Sequence, residues 1–406
     1  MQKLLIVVGI LLLCAGAAGI VCASGIDNKT NWSAAYARTM NRNAVYDAPD
    51  AAVYNPAGIG RMEDGLFVGA SNQTIPINYS HESAAELYEA KNPTILLPSA
   101  FVVYKRNKLG FYGAFYVPAG GGRLKYKEGI VDLNEALVLS TFNPNADLFG
   151  VYYAGTVGAV YAVNDMISLS VGGRYIFAKQ TTNFETEDTI TAGPFTGAKL
   201  LLDTKATASG FDVIIGINLA PVSGLNVGLR YETKTKLEWE YKDVEGPLAA
   251  FQGIAEGDKY DRDLPALLGA GVSYMLLPQL RAEASLDIYF NTQADWDGGE
   301  DDVKTGFAFG AACEYALLSN LKASAGFLYT KTGADKDSYL HVNPALNSIT
   351  LSGGALYQVT ENLSAELGIL KPLYTGDDGV SQIGSVPVEV DKSLWIIALG
   401  VNYKVF

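Results

Sequence analysis

The sequence predicts an all-β protein, a transmembrane antiparallel β-barrel of about 14 strands with an N-terminal plug in its lumen. Three observations predict this fold. Apolar and polar residues alternate in short runs from Gly65 to Phe406, the connections between runs are alternately short and long, and an apolar leader precedes the first run. All three are typical of a β-barrel that is exported and inserted into a membrane.

The alternation is clearest between Leu280 and Asn291. Apolar side chains occupy the even positions of this run, whereas most odd positions carry charged or polar side chains. A strand directs successive side chains to opposite faces, so one face of this strand is apolar and the other is charged. A single strand of this kind is also typical of a soluble β-sandwich, so the two ends of the chain must decide between the folds.

Residues 1–23 are predicted to form a secretory signal peptide. Lys3 precedes an apolar stretch from Leu4 to Val21, and the small residues that follow suit cleavage before Ser24. The alternative is a transmembrane anchor, because about 20 apolar residues span a bilayer. The signal peptide is the preferred interpretation, since no second long apolar helix follows it.

The C-terminal strand, Leu394 to Phe406, is apolar and ends on an aromatic residue. Such an end resembles the C-terminal signature that the barrel assembly machinery of the bacterial outer membrane recognises. The resemblance predicts an outer-membrane location and this machinery as a partner. Phe406 has the opposite parity from the outward set Trp395, Ile397, Leu399, Val401 and Tyr403. We therefore expect Phe406 to lie beyond the regular strand.

Turns and alternation together place about 14 strands, an even number as bacterial barrels prefer. They lie near residues 65–79, 98–106, 109–117, 147–163, 166–186, 198–219, 225–241, 264–277, 280–296, 303–317, 321–331, 347–359, 363–374 and 394–405. Tight turns such as Asn107–Lys108 alternate with long segments such as residues 242–263. This alternation predicts periplasmic turns on one rim and extracellular loops on the other.

Residues 24–64 do not alternate, so they are predicted to form a plug inside a barrel of residues 65–406. The inward parity of the strands supplies polar partners for it, namely Arg174, Arg230, Glu232, Arg281, Glu283, Asp287 and Lys322. The same charges would equally suit the hydrated lumen of a general porin, which would have no plug.

Composition excludes several functions. The net charge of −13 argues against a nucleic-acid partner. No Gly-Lys phosphate-binding motif is present, so transport would be passive and without a cofactor.

His81 and His341 both fall in predicted loops without a nucleophilic serine motif, which disfavours an outer-membrane hydrolase. The acidic run from Asp295 to Asp302 fits no known calcium loop and is predicted to be a solvated loop, not a metal site.

The stretch Asn43–Gly58, NAVYDAPDAAVYNPAG, resembles the hatch of the FadL/TodX-like family of outer-membrane proteins. This family transports long-chain fatty acids or aromatic hydrocarbons. The resemblance extends along most of the chain and implies a monomeric, fourteen-stranded barrel with Asn55, Pro56 and Ala57 as the gate of its hatch. The tripeptide recurs at Asn343 to Ala345, where it is predicted to be a simple loop turn.

In this family the ligand leaves through a gap in the wall beside an inward kink of the third strand. Here that strand is predicted at Leu109 to Val117, where Gly113 is free to bend and Pro118 ends the strand loosely. The alternative is that Gly113 only makes room for a bulky neighbour.

The loop from Ala119 to Asn145 is the predicted collecting surface for a hydrophobic ligand. Apolar residues recur at roughly helical spacing and predict a helical hairpin with one apolar face, on which Leu133, Leu137, Leu139 and Phe142 are candidate ligand contacts. Alternatively this stripe packs on the barrel rim. Arg174 and Lys179 are candidates for binding a fatty acid carboxylate, or are simply lumen and rim charges.

The sequence thus predicts a non-enzymatic channel for the passive uptake of hydrophobic compounds, surrounded by outer-membrane lipid and lipopolysaccharide. A general porin for polar solutes is the main alternative, and an outer-membrane hydrolase is a weaker one.

Overall fold

The computed structural model describes residues 33–92, 94–137, 139–142, 144–334, 342–375 and 387–406. The predicted signal peptide and His341 lie outside these ranges.

Within the described ranges, fourteen antiparallel wall strands form one closed barrel, as the sequence predicts. The strands are β1 (Gly65–Ile75 and Ile77–Glu82), β2 (Leu87–Ala90 and Thr94–Arg106), β3 (Leu109–Tyr126), β4 (Pro144–Ala162), β5 (Ile167–Thr186), β6 (Leu200–Leu219), β7 (Leu225–Glu232 and Glu238–Glu245), β8 (Lys259–Asp261 and Leu267–Leu277), β9 (Leu280–Tyr289), β10 (Gly306–Leu318), β11 (Leu321–Lys331), β12 (Asn347–Gln358), β13 (Leu363–Thr375) and β14 (Glu389–Leu394 and Ile396–Lys404). The barrel closes where β14 pairs with β1.

The wall is apolar outside and polar inside. On β9 the four odd-numbered residues from Arg281 to Asp287 are buried, and on β14 the outward set of Leu399, Val401 and Tyr403 is exposed. A water-soluble protein would show the reverse, so the outer surface suits lipid hydrocarbon. Phe406 lies beyond the end of β14 and is 66% exposed, as expected from its parity.

Two predictions about the strand ends are wrong. The helical hairpin predicted for residues 119–145 is absent from the described residues, because β3 continues to Tyr126 and pairs with β4. Only short turns, Asp132–Ala136 and Ser140–Phe142, are helical there. His81 was predicted in a loop, but β1 continues to Glu82 and buries it. In both places pairing with a neighbouring strand overrides the local pattern.

Residues 33–64, hereafter the N-terminal segment, pack against the inner face of the wall. The segment contains helix α1 (Ala34–Thr39), helix α2 (Ala51–Tyr54) and a 3₁₀ helix (Pro56–Arg61). Helix α1 starts at the Ser33 cap, whose Oγ accepts the Tyr36 N–H at 2.9 Å. It contacts β10 to β14, whereas the 3₁₀ helix contacts β2 to β7. The segment therefore touches opposite sides of the lumen.

None of the helices in the described ranges is long and apolar enough to cross a membrane.

Candidate functional site: a lumen, a cavity and a break in the wall

A chain of amide groups ties the Asn55 turn to the wall. Asn55 Nδ2 donates to the carbonyl of Val45 at 2.9 Å and to Asn218 Oδ1 on β6 at 2.8 Å. Asn218 and Asn226 on β7 exchange two hydrogen bonds of 2.8 Å, and Asn226 Nδ2 also donates to the Ala44 carbonyl at 2.8 Å. All three asparagines are buried. We call this set the asparagine latch.

Pro56 and Ala57 begin the 3₁₀ helix directly after Asn55. Proline suits this position, since its fixed φ matches the helix and its missing N–H would be unpaired there anyway. Ala57 is fully buried, and its carbonyl accepts the Ser168 hydroxyl of β5 at 2.6 Å. The predicted gate residues are thus held from both sides, by β5 and by the asparagine latch.

Arg230 on β7 holds the end of helix α2. Its Nη1 donates to the carbonyls of Val53, at 2.9 Å, and of Tyr54. Its charge is balanced by Glu232, whose Oε1 lies 2.8 Å from Arg230 Nε. A cation at a helix C-terminus satisfies carbonyls that have no partner within the helix.

A second ion network, buried except at Asp47, lies around helix α1 and the segment that follows it. Arg42 makes two hydrogen bonds to Asp50, of 2.6 and 3.1 Å, and Arg38 pairs with Glu314 of β10. Arg281 of β9 lies 2.6 Å from Asp47. Removing one partner of a buried pair leaves an uncompensated charge, so this network strongly favours the seated position of the segment.

An uncharged cavity of about 100 Å³ lies between helix α1 and the wall strands β9 to β14. We call it the upper cavity. Tyr36 and Met40 of the N-terminal segment form one side of it. The wall contributes Tyr289, Ala308, Leu328, Thr330, Ser348, Thr350, Leu370, Pro372, Tyr374, Leu394 and Ile396. Its polar groups are hydroxyls, which hydrogen-bond but carry no charge.

The pairing of β2 with β3 is interrupted. In the described part of these strands, pairing runs from Arg106↔Leu109 to Ala100↔Phe115 and resumes only at Ala90↔Tyr126. The ladder between β2 and β3 is therefore discontinuous along this part of β3 in the described residues. We call this the wall break.

The wall break coincides with an irregular part of β3. The register against β4 shifts between Tyr116 and Ala119 and again between Gly120 and Gly122. Pro118 is buried within this part, and Gly120 has a φ of 66°. The other predicted kink residue, Gly113, lies before it and pairs regularly with Val102 and Val157.

The candidate ligand contacts of the loop after β3 point into the protein. Leu133 and Leu139 are fully buried, Leu137 is 9% exposed, and Phe142 is half-buried against the main core. The loop is held by His81, whose Nε2 accepts the Val131 N–H at 3.3 Å. In this conformation these side chains pack into the main core, and their role as ligand contacts stays a prediction.

The two candidate cations for a ligand carboxylate differ. Arg174 is buried on the inner face of β5, with Nε 2.9 Å from Asp212 Oδ2 and Nη1 2.7 Å from Glu232 Oε2. Arg174 is therefore already paired with two carboxylates of the protein. Lys179 is exposed on the outer parity of the same strand. The structure therefore does not bring Arg174 and Lys179 together.

Part of the acidic run lies beside a third aspartate. Carboxylate oxygens of Asp261, Asp295 and Asp297 fall within 4.8 Å of one another near the surface. Exposed carboxylates of this kind are common in solvated loops.

Sequence reasoning missed three residues of these sites. Asn218 and Asn226 flank the turn between β6 and β7 and have the inward parity, which was a usable signal. Leu97 at the wall break carried no signal, because the predicted second strand began at Pro98. That start is too late, since β2 already begins at Leu87.

The chain matches no family profile and no curated protein. Among solved structures it is similar to a FadL homologue of Pseudomonas aeruginosa, with 14% identity over 93% of this chain and 100% of that one and a TM-score of 0.70. It is also similar to the toluene transporter TodX of Pseudomonas putida (13% identity, 93% and 98% coverage, TM-score 0.67) and to the toluene transporter TbuX of Ralstonia pickettii (14%, 88% and 94%, 0.64). At these identities the likeness establishes architecture, and this chain has the FadL/TodX-like barrel fold.

Proposed function

We propose that this protein is an outer-membrane channel for the passive uptake of neutral hydrophobic compounds. The observation that carries the proposal is the upper cavity, which is lined by apolar and hydroxyl-bearing side chains and has no charged residue among the described residues of its lining. The similar structures include a FadL homologue and two toluene transporters, which supports the same class of ligand.

The size of the upper cavity favours a compact ligand. An apolar cavity of about 150 Å³ is enough to bind benzene in a protein core. The upper cavity measures about 100 Å³, and Met40 on its inner side is a flexible side chain that yields readily. One aromatic ring therefore suits it better than a long acyl chain does.

The charge pattern of the lumen favours a neutral ligand over a fatty acid. The buried arginines at positions 38, 42, 174, 230 and 281 each lie within an ion pair with a carboxylate of the protein. A ligand carboxylate would have to displace one of these partners and leave it unpaired, which is costly in a buried site.

In this proposal the N-terminal segment is a hatch and residues 24–64 are its full extent. The asparagine latch and the ion pairs of Arg42 and Arg281 hold it closed. Movement of Asn55, Pro56 and Ala57 would open a way from the upper cavity to the wall break. The ligand would leave sideways there, and a concentration gradient would drive the flow.

The apolar outer surface of the barrel supports an outer-membrane location. We propose that residues 1–23 direct export and that the barrel assembly machinery inserts the chain. The barrel would then function as a monomer among lipid and lipopolysaccharide.

The proposal is tested by ligand binding to the purified full chain in detergent, measured by calorimetry with toluene and with a long-chain fatty acid. Ala308→Phe fills the upper cavity from β10, and Ala308→Ser leaves its volume unchanged. We expect the parent and Ala308→Ser to bind toluene and Ala308→Phe to lose it. Binding of the fatty acid alone, or toluene binding that Ala308→Phe leaves intact, would contradict the proposal.

A further inference from the structure

Residues 342–346 lie between β11 and β12, on the rim that carries the long connections. We call them the strap. They contain the second Asn-Pro-Ala tripeptide of the chain. Asn343 is half-buried, the other four residues are buried, and Val342 and Leu346 belong to the main core. A surface turn would instead be solvated along its length. The strap is therefore packed into the mouth of the barrel.

Lys392 of β14 holds the middle of the strap. Its Nζ donates to Asn343 Oδ1 at 3.1 Å and to the Pro344 carbonyl at 3.2 Å. The same ammonium lies over the rings of Tyr79 on β1 and Tyr374 on β13, at 5.1 and 5.0 Å from their centres. The faces of tyrosine rings attract a cation. Lys392, which is buried, thus joins the strap to the wall.

Two further hydrogen bonds hold the strap on either side of this contact. The Tyr126 hydroxyl at the end of β3 donates to the Val342 carbonyl at 2.8 Å. The Thr332 hydroxyl, directly after β11, donates to the Ala345 carbonyl at 2.9 Å. Because β3 neighbours neither β11 nor β12, these bonds tie the strap to separate parts of the wall. The strap therefore runs across the rim and not along it.

The strap forms the layer of the lumen next to the upper cavity. Side chains two residues apart on a strand share a face, so successive inward residues are stacked along the lumen. On three strands a residue that lines the cavity is followed, toward the same rim, by an inward residue that belongs to the strap or binds it: Thr330 and Thr332 at β11, Ser348 and Leu346 at β12, and Leu394 and Lys392 at β14.

We propose that the strap is the lid past which a ligand enters the upper cavity and that Lys392 fastens it. The inference rests on the proposed function, since it assumes that the upper cavity holds the ligand. Both hydrogen bonds of Lys392 to the strap break together when the strap lifts. The ammonium keeps its contacts with the two tyrosine rings, so opening does not leave it without stabilisation.

The first measurement is the labelling of a cysteine placed in the strap. Ala345→Cys puts a thiol at a buried position, and Cys313→Ala removes the exposed thiol of β10. A water-soluble maleimide then reacts with the purified barrel when the strap opens. Lys392→Met keeps the length of the side chain and removes its charge. We expect it to raise the labelling rate by at least about tenfold, the effect of losing one hydrogen bond to a charged group.

A second variant and a control accompany Lys392→Met. Tyr126→Phe deletes only the hydroxyl that donates to the strap, and it serves if Lys392→Met does not assemble into a heat-modifiable barrel. It should raise labelling about fivefold, the effect of losing one neutral hydrogen bond. Lys371→Met is the matched control. Lys371 also lies over a ring, that of Trp395 at 5.3 Å, and donates to Ser393 at 2.6 Å, so both of these contacts are with β14. This variant should be labelled like the parent.

The second measurement is the exchange of a fluorinated toluene between the upper cavity and solution, followed by fluorine NMR. A lid controls entry and release alike. Lys392→Met should therefore speed exchange by at least about tenfold and leave the dissociation constant within about twofold of the parent value. A purely structural role of Lys392 would instead weaken binding, because the cavity itself would be distorted.

The two measurements separate this inference from the proposed function. If assembled Lys392→Met and Tyr126→Phe are labelled no faster than the parent, or are labelled faster without faster exchange, only the lid is overturned. Faster labelling in Lys371→Met as well would overturn it too, because the effect would not depend on contact with the strap. If the parent binds no fluorinated toluene, the proposed function fails, and the role of the strap in ligand entry fails with it.

Discussion

At the scale of single residues, Asn218 joins the wall to the predicted gate. It accepts a hydrogen bond from Asn55 and exchanges two with Asn226, and all three side chains are buried. A buried amide that loses its partner retains the full cost of its desolvation. The asparagine latch is therefore sensitive to the removal of any one member.

We predict that Asn218→Ala lowers the free energy of unfolding by about 1–3 kcal/mol, because Asn55 Nδ2 and Asn226 each lose a partner. The thermal midpoint of the purified barrel, followed by heat-modifiable electrophoretic mobility, measures this change. Asn183→Ala is the control, since Asn183 is half-buried and belongs to the outward-facing residues of β5. Equal midpoints for the two variants would contradict a role for the latch.

Asp64 is a second residue with a specific consequence, because it links the end of the N-terminal segment to the turn after β2. Both of its carboxylate oxygens accept the Asn107 N–H at 2.9 Å, and this bond, followed by the nearby Lys105 ammonium, holds the pKa of Asp64 below its ordinary value. A lowered pKa means that the link stabilises the fold above the pKa of the unfolded chain. The stabilisation is lost as pH falls through the lower, folded value.

We therefore expect the Asn107 amide resonance to titrate with a midpoint below about 3.9, the ordinary value for aspartate. An NMR titration of the barrel in micelles provides the measurement, with Asp64→Asn as the control that should abolish the transition. A midpoint at or above the ordinary value would show that the hydrogen bond is absent in solution.

At the scale of elements, β3 departs most from the regular pattern of the barrel. Its kink was predicted at Gly113 and Pro118, and the irregular register runs from Tyr116 to Gly122. Local sequence signals such as proline and consecutive glycines indicate where a strand is able to bend. They do not show where its neighbours stop pairing, because that depends on contacts with β2 and β4.

The two glycines at positions 120 and 122 allow a matched comparison. Gly120 has a φ of 66°, and a Cβ there would lie 2.5 Å from the Gly150 carbonyl oxygen, whereas a Cβ at Gly122 would approach only Thr94 Oγ1, at 3.7 Å. We predict that Gly120→Ala lowers the free energy of unfolding by about 1–3 kcal/mol, the usual cost of a strained backbone conformation. Gly122→Ala should be neutral or stabilising by up to about 1 kcal/mol.

Denaturant unfolding of the two variants, followed by tryptophan fluorescence, compares them directly. If Gly122→Ala is as destabilising as Gly120→Ala, the irregular part of β3 is not built around Gly120.

At the scale of the whole molecule, the alternation of apolar and polar residues and the composition of the turns were enough to predict the number of strands. The same alternation predicted which face of the wall is apolar and which is polar. The inward charges of Arg230, Glu232 and Arg281 follow from the period of two of a regular strand. The candidate site was less predictable. The burial of Leu133 and the pairing of Arg174 with Asp212 depend on residues distant in sequence, which local patterns do not reveal.

Charge pairs and hydrogen bonds hold the N-terminal segment against the wall, whereas the described residues that line the upper cavity are uncharged. This division suits a barrel that excludes ions and admits neutral hydrophobic molecules. A general porin would instead need a continuous hydrated lumen, and here the buried N-terminal segment touches opposite sides of the wall.

The most direct test of this account is the uptake of labelled toluene and of a labelled long-chain fatty acid by cells that carry this chain as their only transporter of the kind. Cells without the chain, and cells with Asn55 and Pro56 both replaced by alanine, are measured beside them. The account predicts that the parent takes up toluene faster than the fatty acid and that the double variant changes the rate of toluene uptake. Toluene uptake no faster than in cells without the chain would contradict it.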